Sequence, residues 1–101
     1  MNESTLPDDL VQALRSRLLV RATATAAAID QFLIAPDPAL AEIIRGSAHK
    51  IAGIAATIGL PELGKAAGAV DASALPVPPG DRAIENLMRL RHAITAAGGK
   101  A

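Results

Sequence analysis

The sequence has no cysteine, tryptophan or tyrosine, and Phe32 is its single phenylalanine. Without cysteine there are no disulfides and no thiolate chemistry, which fits a reducing compartment. One aromatic side chain cannot form a platform on which nucleic acid bases stack. Strands favour aromatic and β-branched residues, so the composition also argues against a sheet.

The chain also lacks an excess of charge of either sign, since ten Lys and Arg balance ten Asp and Glu. No strong field therefore attracts nucleic acid or an anionic membrane. Its apolar runs are far shorter than the roughly 18 residues of a membrane span. Segment 1–9 is acidic and lacks the apolar core of a signal peptide. We expect a cytoplasmic protein with no nucleic acid or membrane partner.

Half of the residues are apolar, and alanine is prominent among them. Alanine has the highest helix propensity, and its small side chain allows helices to approach closely. Prolines and glycines divide the chain into four segments with helical periodicity. The first is predicted to open at segment 4–9 and to end at segment 35–38, which contains two prolines.

The second helix is predicted from about Pro38 to Ile58, with Gly59 in the left-handed conformation after its end. The third begins at Pro61, and the proline-rich segment 75–80 forms the longest loop. Asp81 is expected to cap a fourth helix that ends at segment 98–99. We therefore predict an all-α, antiparallel up-down four-helix bundle in a single domain over residues 1–101.

Apolar spacing predicts the buried side of each helix. In chain order, the expected buried positions are Val11, Leu14, Leu18, Thr25, Ile29 and Phe32; Leu40, Ile43, Ile44, Ser47, Ile51, Ile54 and Ile58; Leu60, Leu63, Ala67, Val70 and Ala74; and Ile84, Leu87, Met88 and Ile94.

His49 lies two residues from Ser47 and from Ile51, which is about 200° around a helix from either. The imidazole is therefore predicted to face solvent. The residues expected to share its face are Arg45, Gly46, Ala52, Gly53 and Ala56. A glycine inside a helix costs about 1 kcal/mol relative to alanine, so two near one histidine suggest that another molecule approaches the helix there.

Common catalytic arrangements are poorly represented. The other histidine, His92, is 43 positions from His49, and neither has a metal ligand four residues away. Ser47 lies on the predicted core side, which argues against a hydrolytic triad. Gly53 and Gly59 suggest the glycine spacing of a phosphate-binding loop, but Leu-Pro follows Gly59 where such a loop has Lys-Ser or Lys-Thr.

An exposed neutral imidazole can still attack phosphorus through the lone pair of one ring nitrogen. Phosphoryl transfer depends mainly on in-line positioning and on stabilisation of the transferred charge. A partner that carries the phosphoryl group on a carboxylate, beside its own metal ion, can supply much of that stabilisation.

Here the sequence resembles the histidine-containing phosphotransfer (HPt) domains of two-component phosphorelays. The similarity covers about residues 40–71: His-Lys-Ile-Ala-Gly at 49–53, then Gly59, Leu63 and Asp71. The resemblance implies that His49 is the phosphoacceptor and that Gly53 gives a receiver domain room to dock. It implies receiver-domain partners, with a hybrid histidine kinase as a further candidate. It also implies no cofactor beyond the partner's Mg²⁺, no autonomous kinase activity and a monomer.

The usual lysine of this family, three residues after the histidine, is replaced by Ala52. Lys50 and Arg45 are the nearby cations, at about 100° and −40° from His49 on a helix. The sequence does not decide which of them contacts the phosphoryl group.

Two other functions stay open. The chain could be a helical interaction or dimerisation module without chemistry, in which the surface near His49 binds another helix. It could also resemble the dimerising part of a sensor kinase, but Lys50 stands where that class usually has an acid, and the length holds no ATP-binding domain. His92 is expected to be an ordinary surface residue, because no open surface surrounds it.

Overall fold

The computed structural model describes residues 7–98, which form four α-helices and no strand. The helices are α1 (Asp8–Ile34), α2 (Pro38–Ala55), α3 (Pro61–Ala72) and α4 (Asp81–Ala96). Each packs against its neighbours in the chain, and α4 also packs against α1, so the four surround one core. The all-α prediction is confirmed, and the arrangement is compatible with a four-helix bundle. None of these helices is long and apolar enough to cross a bilayer.

The start of α2 shows how the chain ends one helix and begins the next. The Asp37 carboxylate accepts hydrogen bonds from the backbone N–H groups of Ala39, at 2.6 Å, and Leu40, at 3.4 Å. Pro38 occupies the first turn, where its missing N–H costs nothing. This N-cap fixes where α2 begins and hence the position of His49 along it.

Other helix ends differ in detail from the sequence prediction. Helix α2 ends at Ala55, before the predicted Ile58, and a turn leads to Gly59 with the expected positive φ of 85°. Gly80, not Asp81, is the N-cap of α4. Asp81 is instead the first helical residue, where its carboxylate interacts favourably with the positive end of the helix dipole. The predicted opening at 4–6 and the final glycine at 99 lie outside the described residues.

Most predicted core positions are buried. Those that the structure confirms as buried are Leu18, Thr25, Ile29, Phe32, Ile44, Ile51, Ile58, Leu63, Ala67, Val70, Leu87 and Ile94. Val11, Leu14, Leu40, Ser47, Leu60 and Ile84 are half-buried. The prediction is wrong for Ile43, Ile54, Ala74 and Met88, which are exposed.

The two errors on α2 have one cause, a rotation of the helix relative to its hydrophobic pattern. The core side runs through three alanines and three isoleucines: Ala41, Ile44, Ala48, Ile51, Ala55 and Ile58. Its centre is rotated by about 60° from the centre of the predicted stripe, which contains five isoleucines, at 100° per residue. Ile43 and Ile54, 59% and 40% exposed, are left on the side that borders α1.

Helices α2 and α3 pack closely on the side of α2 that carries its buried alanines. A Cβ added to Gly64 of α3 would lie 3.5 Å from the Ala55 Cβ and 3.5 Å from the Ala56 backbone nitrogen. Such an approach is possible because small side chains face each other across the contact. Ala55 is buried at this contact, and Ala41 and Ala48 lie on the same buried side of α2, where their small side chains allow close packing.

Polar contacts join α1 to both of its neighbours. The buried Thr25 hydroxyl donates to the Arg21 carbonyl at 2.8 Å and so accepts from Ser47 of α2 at 2.6 Å. Arg91 of α4 makes two hydrogen bonds to the Asp30 carboxylate, at 2.6 and 2.9 Å. These bonds lower the pKa of Asp30; partial burial opposes the shift, and attraction between the two charges adds to it.

The rotation of α2 predicts that replacing two adjacent isoleucines by alanine lowers the free energy of unfolding by different amounts. Ile44→Ala should destabilise the protein by about 2–5 kcal/mol, because it leaves a cavity at a fully buried position. Ile43→Ala should cost less than about 1 kcal/mol, because that side chain is mostly in water. Chemical denaturation of both variants measures the difference. Equal costs would contradict the orientation of α2.

Candidate functional site

His49 projects from the middle of α2 and is 74% exposed. Asp37 and Pro38 set the start of the helix, and the buried alanines and isoleucines set its rotation. The imidazole therefore stands on a well-packed helix instead of a loop. Such a support restricts the positions that the ring can take, as a reacting group requires.

Asp71, near the end of α3, approaches His49 from the neighbouring helix. Its Oδ2 lies 2.9 Å from the His49 Nδ1, and its side chain is 35% exposed. An ionised carboxylate only accepts hydrogen bonds, so Nδ1 carries the proton in this contact. In the neutral ring the second nitrogen, Nε2, then keeps its lone pair. The arrangement produces an oriented imidazole with Nε2 as the free nucleophile or base.

Two glycines leave the surface beside His49 open. Gly46 and Gly53 are exposed, and a Cβ built on either would meet no described atom within 4 Å outside the local helix backbone. Ala56, in the turn after α2, is also exposed. Neither glycine supports a helix–helix contact within residues 7–98. The open surface can therefore admit another molecule near the ring.

Arg45 and Ala52 turn toward α3 instead of solvent. Both are half-buried, and the Arg45 Nη2 donates to the Asp71 backbone carbonyl at 3.4 Å. Arg45 therefore neutralises part of the negative end of the α3 dipole and supports the segment that carries the Asp71 carboxylate. Its Nε is buried without a hydrogen-bond partner among the described residues. The side chain lies along the protein surface next to α3.

Lys50 lies on the opposite side of His49, toward α1. It is exposed, it borders the groove between α1 and α2, and it forms no ion pair with any residue in the range 7–98. Arg45 donates to the Asp71 carbonyl, whereas the Lys50 ammonium group has no ion-pair partner within residues 7–98. Its flexible stem allows that group to move toward an incoming anion.

His92 is exposed on α4 and borders a separate groove formed with the start of α3. Its side chain forms no hydrogen bond or ion pair within residues 7–98. A search of residues 7–98 finds no cluster of three or more His, Cys, Asp or Glu side chains that could hold a metal ion. The oriented imidazole is therefore specific to His49.

The sequence did not reveal that Asp71 pairs with His49 or that Arg45 supports the end of α3. In the sequence, Asp71 is only the acidic residue that ends the HPt-like pattern. The two residues are 22 positions apart and lie on different helices, so helical spacing does not relate them. The contact depends on how α2 and α3 are packed, which apolar spacing within one helix does not specify.

Comparison with known proteins adds no family assignment. No family model matches the chain, and neither the curated proteins nor the solved structures give a match. The function must therefore be inferred from the residues and their geometry.

The different surroundings of Arg45 and Lys50 predict different stabilities for their alanine variants. Arg45→Ala should cost about 1 kcal/mol, because it removes a contact at the end of α3 and the packing of the arginine stem. Lys50→Ala should change stability by no more than about 0.5 kcal/mol. Thermal unfolding of the two variants tests this. A Lys50 effect as large as that of Arg45 would contradict the described contacts.

Proposed function

We propose that this chain is a histidine phosphotransfer protein that relays phosphoryl groups between receiver-domain aspartates through His49. The observation that carries the proposal is the exposed imidazole whose Nδ1 is held by Asp71 beside two open glycine positions. The HPt-like pattern over residues 40–71, which includes His49, Gly53 and Asp71, favours the same assignment. The chain acts as a phosphoryl carrier and not as an autonomous kinase.

The transfer needs one bond to form and one to break. The lone pair of the His49 Nε2 attacks the phosphorus of an aspartyl phosphate, and an N–P bond forms. The P–O bond to the aspartate breaks, and that carboxylate leaves with the electron pair. The Nδ1 proton stays on the ring, which becomes a phosphorylated imidazolium. Transfer to the next receiver reverses these changes, and any Mg²⁺ belongs to the receiver.

Asp71 acts as a positioning residue in this reaction. Its carboxylate holds the Nδ1–H and so fixes the tautomer in which Nε2 is the nucleophile. The same negative charge stabilises the imidazolium as it forms. Because Asp71 is partly exposed, solvent screens this interaction, and its effect on the rate should be moderate.

We also propose that the protein is monomeric and cytoplasmic and acts with receiver domains, a hybrid histidine kinase being a further candidate partner. We further propose that the bundle is antiparallel and up-down. Arg15, early in α1, contacts Ile58, after the end of α2, whereas Thr25, later in α1, contacts Ser47, earlier in α2. This pairing is what two helices that run in opposite directions would give. The partner interface should be transient and bury less than about 1,200 Å² in total, because a relay must release its partner.

A second candidate function is a non-catalytic interaction or dimerisation module. The specific observation in its favour is the exposure of Val20, Ile43 and Ile54 along one side of the protein. These residues could bind another helix without any reaction at His49. The proposals differ in whether His49 becomes phosphorylated.

Phosphate transfer from candidate receiver domains, phosphorylated on aspartate with labelled phosphate, tests the function directly. We expect the protein to take up acid-labile, base-stable label. His49→Gln should abolish this uptake, and the matched control His92→Gln should retain it. Label that persists in His49→Gln would contradict the assignment, and no label from any receiver would favour the interaction module.

Replacing Asp71 by asparagine tests the positioning role. Asp71→Asn keeps a hydrogen-bond acceptor but removes the charge, so the single-turnover transfer rate should fall about tenfold, equivalent to about 1.4 kcal/mol. The partner concentration that gives half-maximal rate should change little, because docking is retained. Asp81→Asn on α4 is the control. An unchanged rate would show that Asp71 is not involved in the transfer.

A series at Gly53 tests the open surface. Gly53→Ala should support near-normal transfer, whereas Gly53→Leu should slow transfer at least about tenfold by blocking the partner. Both should be as stable as the wild type or slightly more stable, because glycine is a poor helix former. Transfer kinetics and thermal unfolding measure the two effects. Normal transfer by folded Gly53→Leu would exclude a partner contact at this position.

A further inference from the structure

A separate groove lies between the start of α3 and the second half of α4. Its volume, about 710 Å³, is within the range of small-molecule binding sites. Neither His49 nor Asp71 lines it. The groove is therefore distinct from the proposed phosphotransfer site, and a ligand could occupy it whether or not His49 carries a phosphoryl group.

The floor of this groove is apolar and consists largely of small side chains. Leu63 and Ala66 line it from α3, and both are buried. Ala93 and Ala97 line it from the side of α4, and both are half-buried. Because alanine side chains are short, they leave space between the two helices. An apolar ligand in that space would remove the floor from water, which is favourable.

The two ends of the groove differ in polarity. Asn86 near the start of α4 donates to Ser73 after the end of α3, at 3.1 Å, so the start of α3 lies toward the end of α4. Pro61 and Ala96 therefore mark one end of the groove, which is apolar. Arg89 lines it seven residues before Ala96, which is about 10 Å along the helix.

Positive charge exceeds negative charge around the groove. Arg89 and His92 are exposed and form no side-chain hydrogen bond or ion pair within residues 7–98. Lys65 pairs at 3.6 Å with Glu62, the one acidic residue among the groove-lining positions. The charge of Arg89 is thus not neutralised by any carboxylate in the described part of the chain.

We propose that the α3–α4 groove binds a free carboxylic acid that has an unbranched apolar chain. The Arg89 guanidinium would donate two parallel hydrogen bonds to the carboxylate, and the His92 imidazole would donate another. The apolar chain would lie on the alanine floor and extend toward Ala96. An anionic membrane offers similar chemistry but is attracted by clusters of four or more Lys and Arg, which this groove does not have.

Methyl NMR of the full chain tests this proposal with decanoate, added below its critical micelle concentration. Decanoate should shift the methyl signals of Leu60, Leu63 and Ala93, which line the groove, and not that of Ile43, which is exposed on α2 outside it. Decyltrimethylammonium has the same chain and a positive head group, so it should bind at least about tenfold more weakly. Acetate, which lacks the chain, should shift none of these signals.

Two arginines of α4 supply a matched pair of variants. Arg89→Gln should weaken decanoate binding by about tenfold, because it removes the charge that the carboxylate contacts. Arg82→Gln, an exposed position outside the groove, should bind normally. His49→Gln should also bind normally, so failure of this proposal and failure of the phosphotransfer proposal can be told apart. Thermal unfolding checks that each variant is folded.

Sedimentation with vesicles of anionic phospholipid distinguishes a free acid from a lipid surface, and the protein should stay in the supernatant. The proposal is overturned if decanoate does not shift the groove methyls, if decanoate and decyltrimethylammonium bind equally, or if Arg89→Gln binds as tightly as Arg82→Gln. Sedimentation of the protein with the vesicles would equally overturn it.

Discussion

The rotation of α2 about its own axis determines which of its side chains meet α3, which face solvent and which border α1. Alanines at 41, 48 and 55 face the core, and Gly64 of α3 lies against the backbone near Ala55. A bulky residue at any of these contacts would require α2 to move away or turn. The arrangement of the candidate site thus depends on small residues that are remote from the chemistry.

Two consequences follow from this packing. On the α3 side, it brings the Asp71 carboxylate within 2.9 Å of the His49 Nδ1, and Arg45 supports the same end of α3. On the α1 side, it leaves Ile43 and Ile54 exposed beside basic residues. His49 and the open glycines lie between these two surfaces. One surface orients the imidazole, and the other leaves apolar side chains exposed next to it.

Much of the fold could be predicted from the sequence because prolines, glycines and apolar spacing are local signals. They predicted four helices, the turn at Gly59 and the exposure of His49. The rotation of α2 could not be predicted in the same way, because hydrophobicity scales give isoleucine more weight than alanine. Close packing of helices depends on the size of the side chains as well as on their hydrophobicity. In α2, the small Ala48 is buried and the larger Ile54 is exposed. The Asp71 contact depends on that same tertiary arrangement.

We propose that Asp71 holds the Nδ1 of His49 and leaves Nε2 to accept the phosphoryl group. NMR of the ¹⁵N-histidine-labelled phosphoprotein, with correlation between ³¹P and ¹⁵N, identifies the nitrogen that carries phosphorus. We predict a single N–P coupling, at the Nε2 of His49, with the proton retained on Nδ1. Phosphorus on Nδ1, or on His92, would contradict the account.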